Sequence, residues 1–256
     1  MTGSHPPSLR DAGVVETGVE AGIATVRFGH PKSNSMPGTL LRRLAEAVAQ
    51  AGIDPRARVI VLQSEGTGAF CAGASFDELK ALENQAGGAA FFSGFAQVIL
   101  AMVRAPKFVI TRIQGKTAGG GVGLVAASDY AIAVRSAEVR LSELPLGLGP
   151  FVVGPVIEHK IGPGSFAALA VEAGWRSAEW AERHGLYAEL VDSTQALDER
   201  VRTLAAQLAG YSPEAMRRLK EVLWERTLHW PELLAARAEI SGHLAVTDAS
   251  RAAVGR

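Results

Sequence analysis

Strand-like runs alternating with crossover helices, then helices alone, predict an α/β core with a helical C-terminal part. Two observations carry this expectation. Short apolar runs such as Val59-Ile60-Val61-Leu62 and Phe108-Val109-Ile110-Thr111-Arg112-Ile113 suit strands buried on both faces. From about Phe151 onward the apolar spacing is helical.

Taken in order, Val14-Val15-Glu16 and the run 23–28 flank a loop from Gly18 to Gly22 and read as a hairpin ending at His30-Pro31. Residues 40–51 carry Leu40, Leu41, Leu44, Val48 and Ala51 at helical spacing, and a strand at 59–62 follows. A helix around 91–103 leads to the strand at 108–113, a glycine-rich turn and the apolar residues 122–127. Residues 130–134 and 139–141 read as short strands. Short helices at 156–161, 166–173 and 178–184 are punctuated by Gly162, Pro163, Gly174 and Gly185. Longer ones follow at 197–208, 213–228 and 231–246, with Pro213 and Pro231 at first-turn positions. Residues 1–13 read as a loose end, 14–195 as the core and 196–256 as the helical part.

Composition excludes several classes. The 256 residues carry 26 basic and 26 acidic side chains, evenly scattered, so neither a nucleic-acid groove nor a membrane surface is indicated. A single cysteine, Cys71, forms no internal disulfide. With no signal-like leader and no long apolar run, the chain reads as soluble and cytoplasmic. The six histidines make no metal pattern, and Trp224, Trp230 and Leu233 read as a helix–helix or subunit contact.

Chemistry concentrates in three stretches. Phe70-Cys71-Ala72-Gly73-Ala74-Ser75 and Ala118-Gly119-Gly120-Gly121-Val122-Gly123 are runs of small residues after strand-like segments. Two bare N–H groups aimed at one oxygen make an oxyanion hole, and a helix starting near Gly120 leaves its first amides unpaired. The same glycines equally serve tight helix–strand packing. Gly121-Val122-Gly123-Leu124-Val125-Ala126 also matches a dinucleotide fingerprint, but Gln114 to Gly120 separate it from the strand, which disfavours that reading. Glu143 sits among Leu141, Leu144, Pro145 and Leu146; poor solvation there raises a carboxyl toward acid/base range, whereas a surface loop leaves it ordinary. Cys71, between Phe and Ala, reads as an inert core thiol.

With these residues in view, the chain resembles the crotonase superfamily, the enoyl-CoA hydratase/isomerase family. The likeness rests on five stretches in order: His30-Pro31-Lys32-Ser33-Asn34-Ser35-Met36, Gly68-Ala69-Phe70-Cys71-Ala72-Gly73-Ala74, Gly115-Lys116-Thr117-Ala118-Gly119-Gly120-Gly121, Ser142-Glu143-Leu144-Pro145-Leu146-Gly147, and Ser212-Pro213-Glu214-Ala215-Met216. It implies a spiral of ββα units with a C-terminal helical part that serves as trimerisation element or lid, assembled as a homotrimer or dimer of trimers. It further implies an acyl-CoA substrate, with coenzyme A part of that substrate and no separate cofactor or metal, and a place in fatty-acid-type metabolism. By position, the Ala74 and Gly120 amides form the oxyanion hole and Glu143 is the acid/base. Ala72, Ser75, Phe76, Asp77 and Gly119 line the thioester channel, and Lys32, Ser33 and Ser35 approach the CoA nucleotide.

Two departures matter. Gly123 stands where many hydratases carry a second glutamate, and Ser75 where the family often has aspartate. The Gly-Gly-Gly-Val-Gly-Leu run resembles hydratases of branched enoyl-CoAs such as 3-methylglutaconyl-CoA, in which Gly123 leaves space for a substrate branch and Asp77 or Glu78 are candidates to replace the missing carboxylate. The expected function is hydration of a 2-enoyl-CoA; isomerisation or decarboxylation by one glutamate, or non-catalytic acyl-CoA binding, are the alternatives.

Overall fold

The computed structural model describes residues 13–255. Apart from Gly13, the N-terminal segment expected to be loose lies outside these described residues. The chain opens with a hairpin, β1 (Val14–Glu20) and β2 (Ile23–Gly29). Its turn is only Ala21-Gly22, both in the left-handed region with φ of 47° and 80°. That two-residue geometry matches the twist of the strands, so Gly18 pairs with Thr25 as part of β1 and not as part of a loop.

From β2 the chain passes through α1 (Gly38–Ile53) to β3 (Val59–Ser64), then through α2 (Phe76–Lys80) and α3 (Gln85–Arg104) to β4 (Val109–Ile113). The short β5 (Thr117–Ala118) and α4 (Gly120–Ala126) lead to β6 (Tyr130–Val134); β7 (Val139–Arg140), α5 (Gly154–Glu172) and α6 (Ala178–Arg183) lead to β8 (Glu189–Val191). Helices α7 (Thr194–Ala209), α8 (Pro213–Leu223), α9 (Trp230–Ala245) and α10 (Asp248–Val254) complete the chain.

The main sheet runs β1-β2-β3-β4-β6-β8 and is parallel after its first pair. Every residue of β4 and all but Gln63 of β3 are buried, as strands covered on both faces require. A second, smaller layer is built from the segments that follow the main strands. β5 pairs with β7, Cys71 bridges Thr117, and Met36 bridges Ala74. Successive turns of the chain thus add a strand to the main sheet and then a short strand or a single bridge to the second layer before a helix returns the chain, which is the expected ββα spiral.

The two short helices expected at 156–161 and 166–173 are present as the two arms of α5, separated by a kink at Gly162-Pro163 where Gly162 has φ 79° and ψ 159°. Two features differ from the sequence reading. β8 is a strand within the supposedly helical half; three residues are too short for a period to register. Helix α7 packs on β2, β3, β4, β6 and β8, so the core extends beyond residue 195. Helix α3 is long and apolar enough to cross a bilayer, yet it is packed between α1 and α9 as a core helix. Trp224 and Trp230 are buried around His159, making a helix–helix contact within the chain.

Candidate active site

The loops after β3, β4 and β6 meet at the C-terminal ends of these parallel strands, the usual location of a site in such sheets. Backbone hydrogen bonds lock the loops together. Ala118 N–H donates to Cys71 O at 2.8 Å, Gly119 N–H to Arg140 O at 2.9 Å, and Met36 N–H to Gly73 O at 2.8 Å. The 30–36 turn joins the same layer: the Asn34 side-chain amide donates to Glu65 O and Ala69 O, and Ala72 N–H donates to Ser33 O. Ser33 and Asn34 both have positive φ, a tight turn that sequence reading did not single out.

Gly73 and Gly119 each immediately precede one of the two amides of interest. Both have positive φ, of 89° and 52°, and their backbones touch. A Cβ on Gly73 would lie 3.0 Å from Ala118 O and 3.5 Å from Gly119 Cα. A side chain at either position would be strained by the positive φ, and one at Gly73 would also press on the Ala118 carbonyl. Among the described residues neither Ala74 N–H nor Gly120 N–H has a hydrogen-bond acceptor. The residues that precede the two proposed donors therefore lie beside one another, and Ala74 and Gly120 line one cleft.

That cleft has an empty volume of about 540 Å³, partly open to solvent. Its walls include Phe76 and Leu79 from α2, Phe92 and Phe95 from α3, and the run from Leu148 to Val153. Ser241 reaches it from α9, which crosses α3 so closely that Gly242 Cα sits 2.8 Å from where a Gly88 Cβ would be. Long-range helix crossing, and not local spacing, brings Ser241 here. The Phe151–Val153 walls follow Glu143 closely in sequence, and that proximity is the signal that could have found them.

Glu143 precedes a single helical turn, Leu144–Leu146, ended by Gly147 at φ 69°. Its carbonyl accepts from Leu146 N–H and Leu148 N–H, fixing the backbone. The carboxylate points at the junction of the two loops: a Cβ on Gly119 would be 3.4 Å from Glu143 Oε1 and 3.8 Å from Ser142 Oγ. Oε2 is buried with no hydrogen-bond partner. Burial pushes the carboxyl up to about 7, offset in part by neighbouring backbone amides and by the Arg140 guanidinium. Such a group is divided between its acid and base forms at neutral pH.

The remaining expected residues separate. Ala72, Phe76 and Gly119 line the cleft with Ala74, Gly120 and Glu143. Ser75 is buried, donating its N–H to Met36 O and capping α2 through Oγ, which accepts from Glu78 N–H. Lys32 and Asp77 form an exposed ion pair outside the cleft lining. Ser33 is exposed, and Ser35 is buried against His30 Nδ1 at 3.0 Å. Glu78 accepts from Gly38 N–H at 2.6 Å, holding the start of α1. Neither Asp77 nor Glu78 faces the cleft, so neither stands in for a second carboxylate there.

Gly123 does not leave the room expected of it. A Cβ there would be 2.5 Å from Val153 Cγ1, so Val153 fills that space and no substrate branch can enter it. Gly121 is likewise a packing residue, with Cys71 Cβ 2.7 Å from its would-be side chain. The glycine run divides: Gly119 and Gly120 face the cleft, Gly121 and Gly123 seat α4 on its neighbours. Cys71 is fully buried and burial pushes its thiol up to about 12, as suits an inert core residue. No group of three His, Cys, Asp or Glu side chains among the described residues is arranged to hold a metal ion.

Comparison with known proteins identifies the family. A carnitinyl-CoA dehydratase from Salmonella enteritidis PT4 is 31% identical over 201 residues, covering 78% of this chain and 76% of that protein. A (7aS)-7a-methyl-1,5-dioxo-2,3,5,6,7,7a-hexahydro-1H-indene-carboxyl-CoA hydrolase from Rhodococcus jostii is 28% identical, covering 82% and 80%. The solved structure of enoyl-CoA hydratase from Bacillus halodurans superposes with a TM-score of 0.88 over 94% of this chain and 98% of that one; at 21% identity it speaks for the fold alone. The sequence model of the family described as enoyl-CoA hydratase/isomerase matches residues 18–253, and the chain belongs to that family.

Proposed function

We propose that the protein is an enoyl-CoA hydratase, adding water across the double bond of a 2-enoyl-CoA. The observation that carries this reading is the convergence of two unpaired amides, Ala74 and Gly120, with a buried, partnerless carboxyl oxygen of Glu143 in one apolar cleft. Donors fixed in advance at the thioester oxygen stabilise the enolate that forms when a nucleophile adds at C3. Ionised Glu143 takes a proton from the attacking water and returns it to C2 as the enolate collapses; its elevated pKa suits both steps.

The lining also bears on the acyl group. Glu143 is the only ionisable residue among the described residues lining the cleft. A dicarboxylic acyl chain, as in methylglutaconyl-CoA, would bury a second negative charge with no cation beside it, at a large desolvation cost. An uncharged, short or branched acyl group fits better, flanked by Phe92, Phe95 and Phe151. The trimeric or hexameric assembly expected of such an enzyme would cover the exposed Leu219, Val222 and Leu223 of α8 and Leu228 just after it.

A single carboxyl also favours a second reading: isomerisation or decarboxylation driven by Glu143 alone. A panel of CoA thioesters separates them. The hydratase consumes the enoyl-thioester chromophore of a 2-enoyl-CoA and yields the 3-hydroxy product. An isomerase generates that chromophore from a 3-enoyl-CoA, a decarboxylase releases carbon dioxide from a malonyl-type thioester, and a non-catalytic binder does none of these. A 2-enoyl panel left intact by the enzyme would sink the hydratase reading.

A further inference from the structure

Ser142 presents a second polar group to the same reacting centre. Its Oγ is 3.8 Å from the point where a Gly119 Cβ would be, and Glu143 Oε1 is 3.4 Å from that same point. The two side chains thus converge on the backbone that precedes the Gly120 amide. Both residues line the cleft, and the Ser142 hydroxyl makes no hydrogen bond among the described residues. The only other hydroxyl among the described residues of the lining, Ser241, donates to Arg237 O within its own helix at 3.1 Å. The position that could have supplied a second carboxylate is closed by Val153 against Gly123.

We propose that Ser142 is a catalytic residue, its hydroxyl holding the attacking water jointly with Glu143 in place of a second carboxylate. The inference rests on the hydratase reading. In the step, the water oxygen bonds to C3 while one of its O–H bonds breaks toward Glu143 Oε. The C2–C3 π pair moves through the thioester onto the oxygen held by the two amides. The enolate then returns that pair to C2, which takes the proton from Glu143 and restores the carboxylate. Ser142 Oγ accepts the water's other hydrogen throughout and exchanges no proton. A hydroxyl suits this task because a serine side chain both accepts and donates.

Hydration needs this water, whereas exchange of the C2 proton of a saturated acyl-CoA with solvent needs only the amides and Glu143. The test is the ratio of hydration rate, on a 2-enoyl-CoA, to C2–H exchange rate, on butyryl-CoA in deuterium oxide by NMR. In Ser142→Ala that ratio should fall about tenfold or more, the size of one lost hydrogen bond to a charged reacting system. Ser142→Thr, which keeps the hydroxyl, should hold the ratio within about threefold of wild type. An unchanged ratio in Ser142→Ala overturns the proposal, and so does a parallel loss of both reactions, which would mean Ser142 only shapes the loop. Should the alanine variant fail to fold, Ser142→Cys carries the same test, because a thiol is a weak acceptor. Wild-type enzyme that exchanges C2–H but hydrates nothing would sink the hydratase reading itself, a result distinct from failure of Ser142 alone.

Discussion

Glu143 and Asp129 are both carboxylates withdrawn from water in connections between elements, and the protein treats them in opposite ways. Asp129, between α4 and β6, is fully satisfied. Its Oδ2 accepts from Lys220 Nζ at 2.8 Å and Val109 N–H at 2.7 Å, and its Oδ1 accepts from Trp224 Nε1 at 2.8 Å. Lys220 spends its other two protons on Met102 O and Lys107 O, and the pair's side chains are 3% and 5% exposed. Among the described residues Glu143 has no cation in contact, and its Oε2 has no partner. One acid is closed into a network that ties α8 to the sheet; the other is left with open valence toward a cleft. The difference teaches where this chain stores structural polarity and where it leaves a carboxyl open to a cleft: an unsatisfied buried acid persists only where something else supports its position.

The largest effects should fall on opposite properties. Replacing Glu143 by Gln keeps shape and removes the proton carrier, so turnover should drop by about 10³–10⁴ with the melting temperature preserved or raised. Steady-state kinetics beside a thermal melt measures both. Turnover within tenfold of wild type would remove Glu143 from the chemistry. Asp129→Asn should do the reverse. Removing one partner leaves Lys220 buried without its counter-charge, and loss of about 3–5 kcal/mol of stability is expected. Turnover per folded molecule should stay within a few-fold. Denaturant titration decides this, and a loss below 1 kcal/mol would mean water enters to serve Lys220.

Next in size is a pH effect that only the cleft acid should show. Glu143 is raised from 4.5 to about 7 by burial, so between those values the folded chain holds a proton that the unfolded chain releases. Its contribution to stability is therefore fully present below about pH 4.5 and is lost as pH rises through about 7, by no more than about 3 kcal/mol. Urea unfolding at pH 5 and pH 8 should show this fall in wild type relative to Glu143→Gln, in which the Glu143 part of the slope vanishes. Identical slopes in the two proteins would mean the carboxyl is solvated after all.

The same contrast explains what was legible beforehand. Glu143 could be found from its apolar neighbours and the two small-residue runs, because local composition sets the desolvation of a loop carboxyl. Asp129 could not: Lys220 and Trp224 lie some 90 residues downstream and meet it only when α8 packs home. Gly123 was misread for a related reason. A glycine in sequence signals that space is needed but not who uses it, and Val153 takes it only after α4 and α5 pack. The strands β3 and β4 announced themselves as apolar runs. β8, of three residues, and Ser241, carried in by the α3–α9 crossing, depend on tertiary neighbours that no window contains.

The smallest test asks whether the wall around Glu143 is as unyielding as the network around Asp129. Gly123→Ala puts a methyl 2.5 Å from Val153 Cγ1, which must move. In a well-packed wall that overpacking costs about 1–3 kcal/mol. Val153→Ala alone opens a small cavity at a comparable cost, but combined with Gly123→Ala each change fills what the other leaves. The double variant should therefore be more stable than the two separate losses predict, by at least about 0.5 kcal/mol, since residues in contact couple on that scale. Strict additivity would mean that the cleft wall relaxes freely around Val153, and that packing does not keep a second acid out of the position of Gly123. In that case Gly123→Glu should fold without the Val153→Ala change, and the isolation of Glu143 would be a matter of residue choice alone.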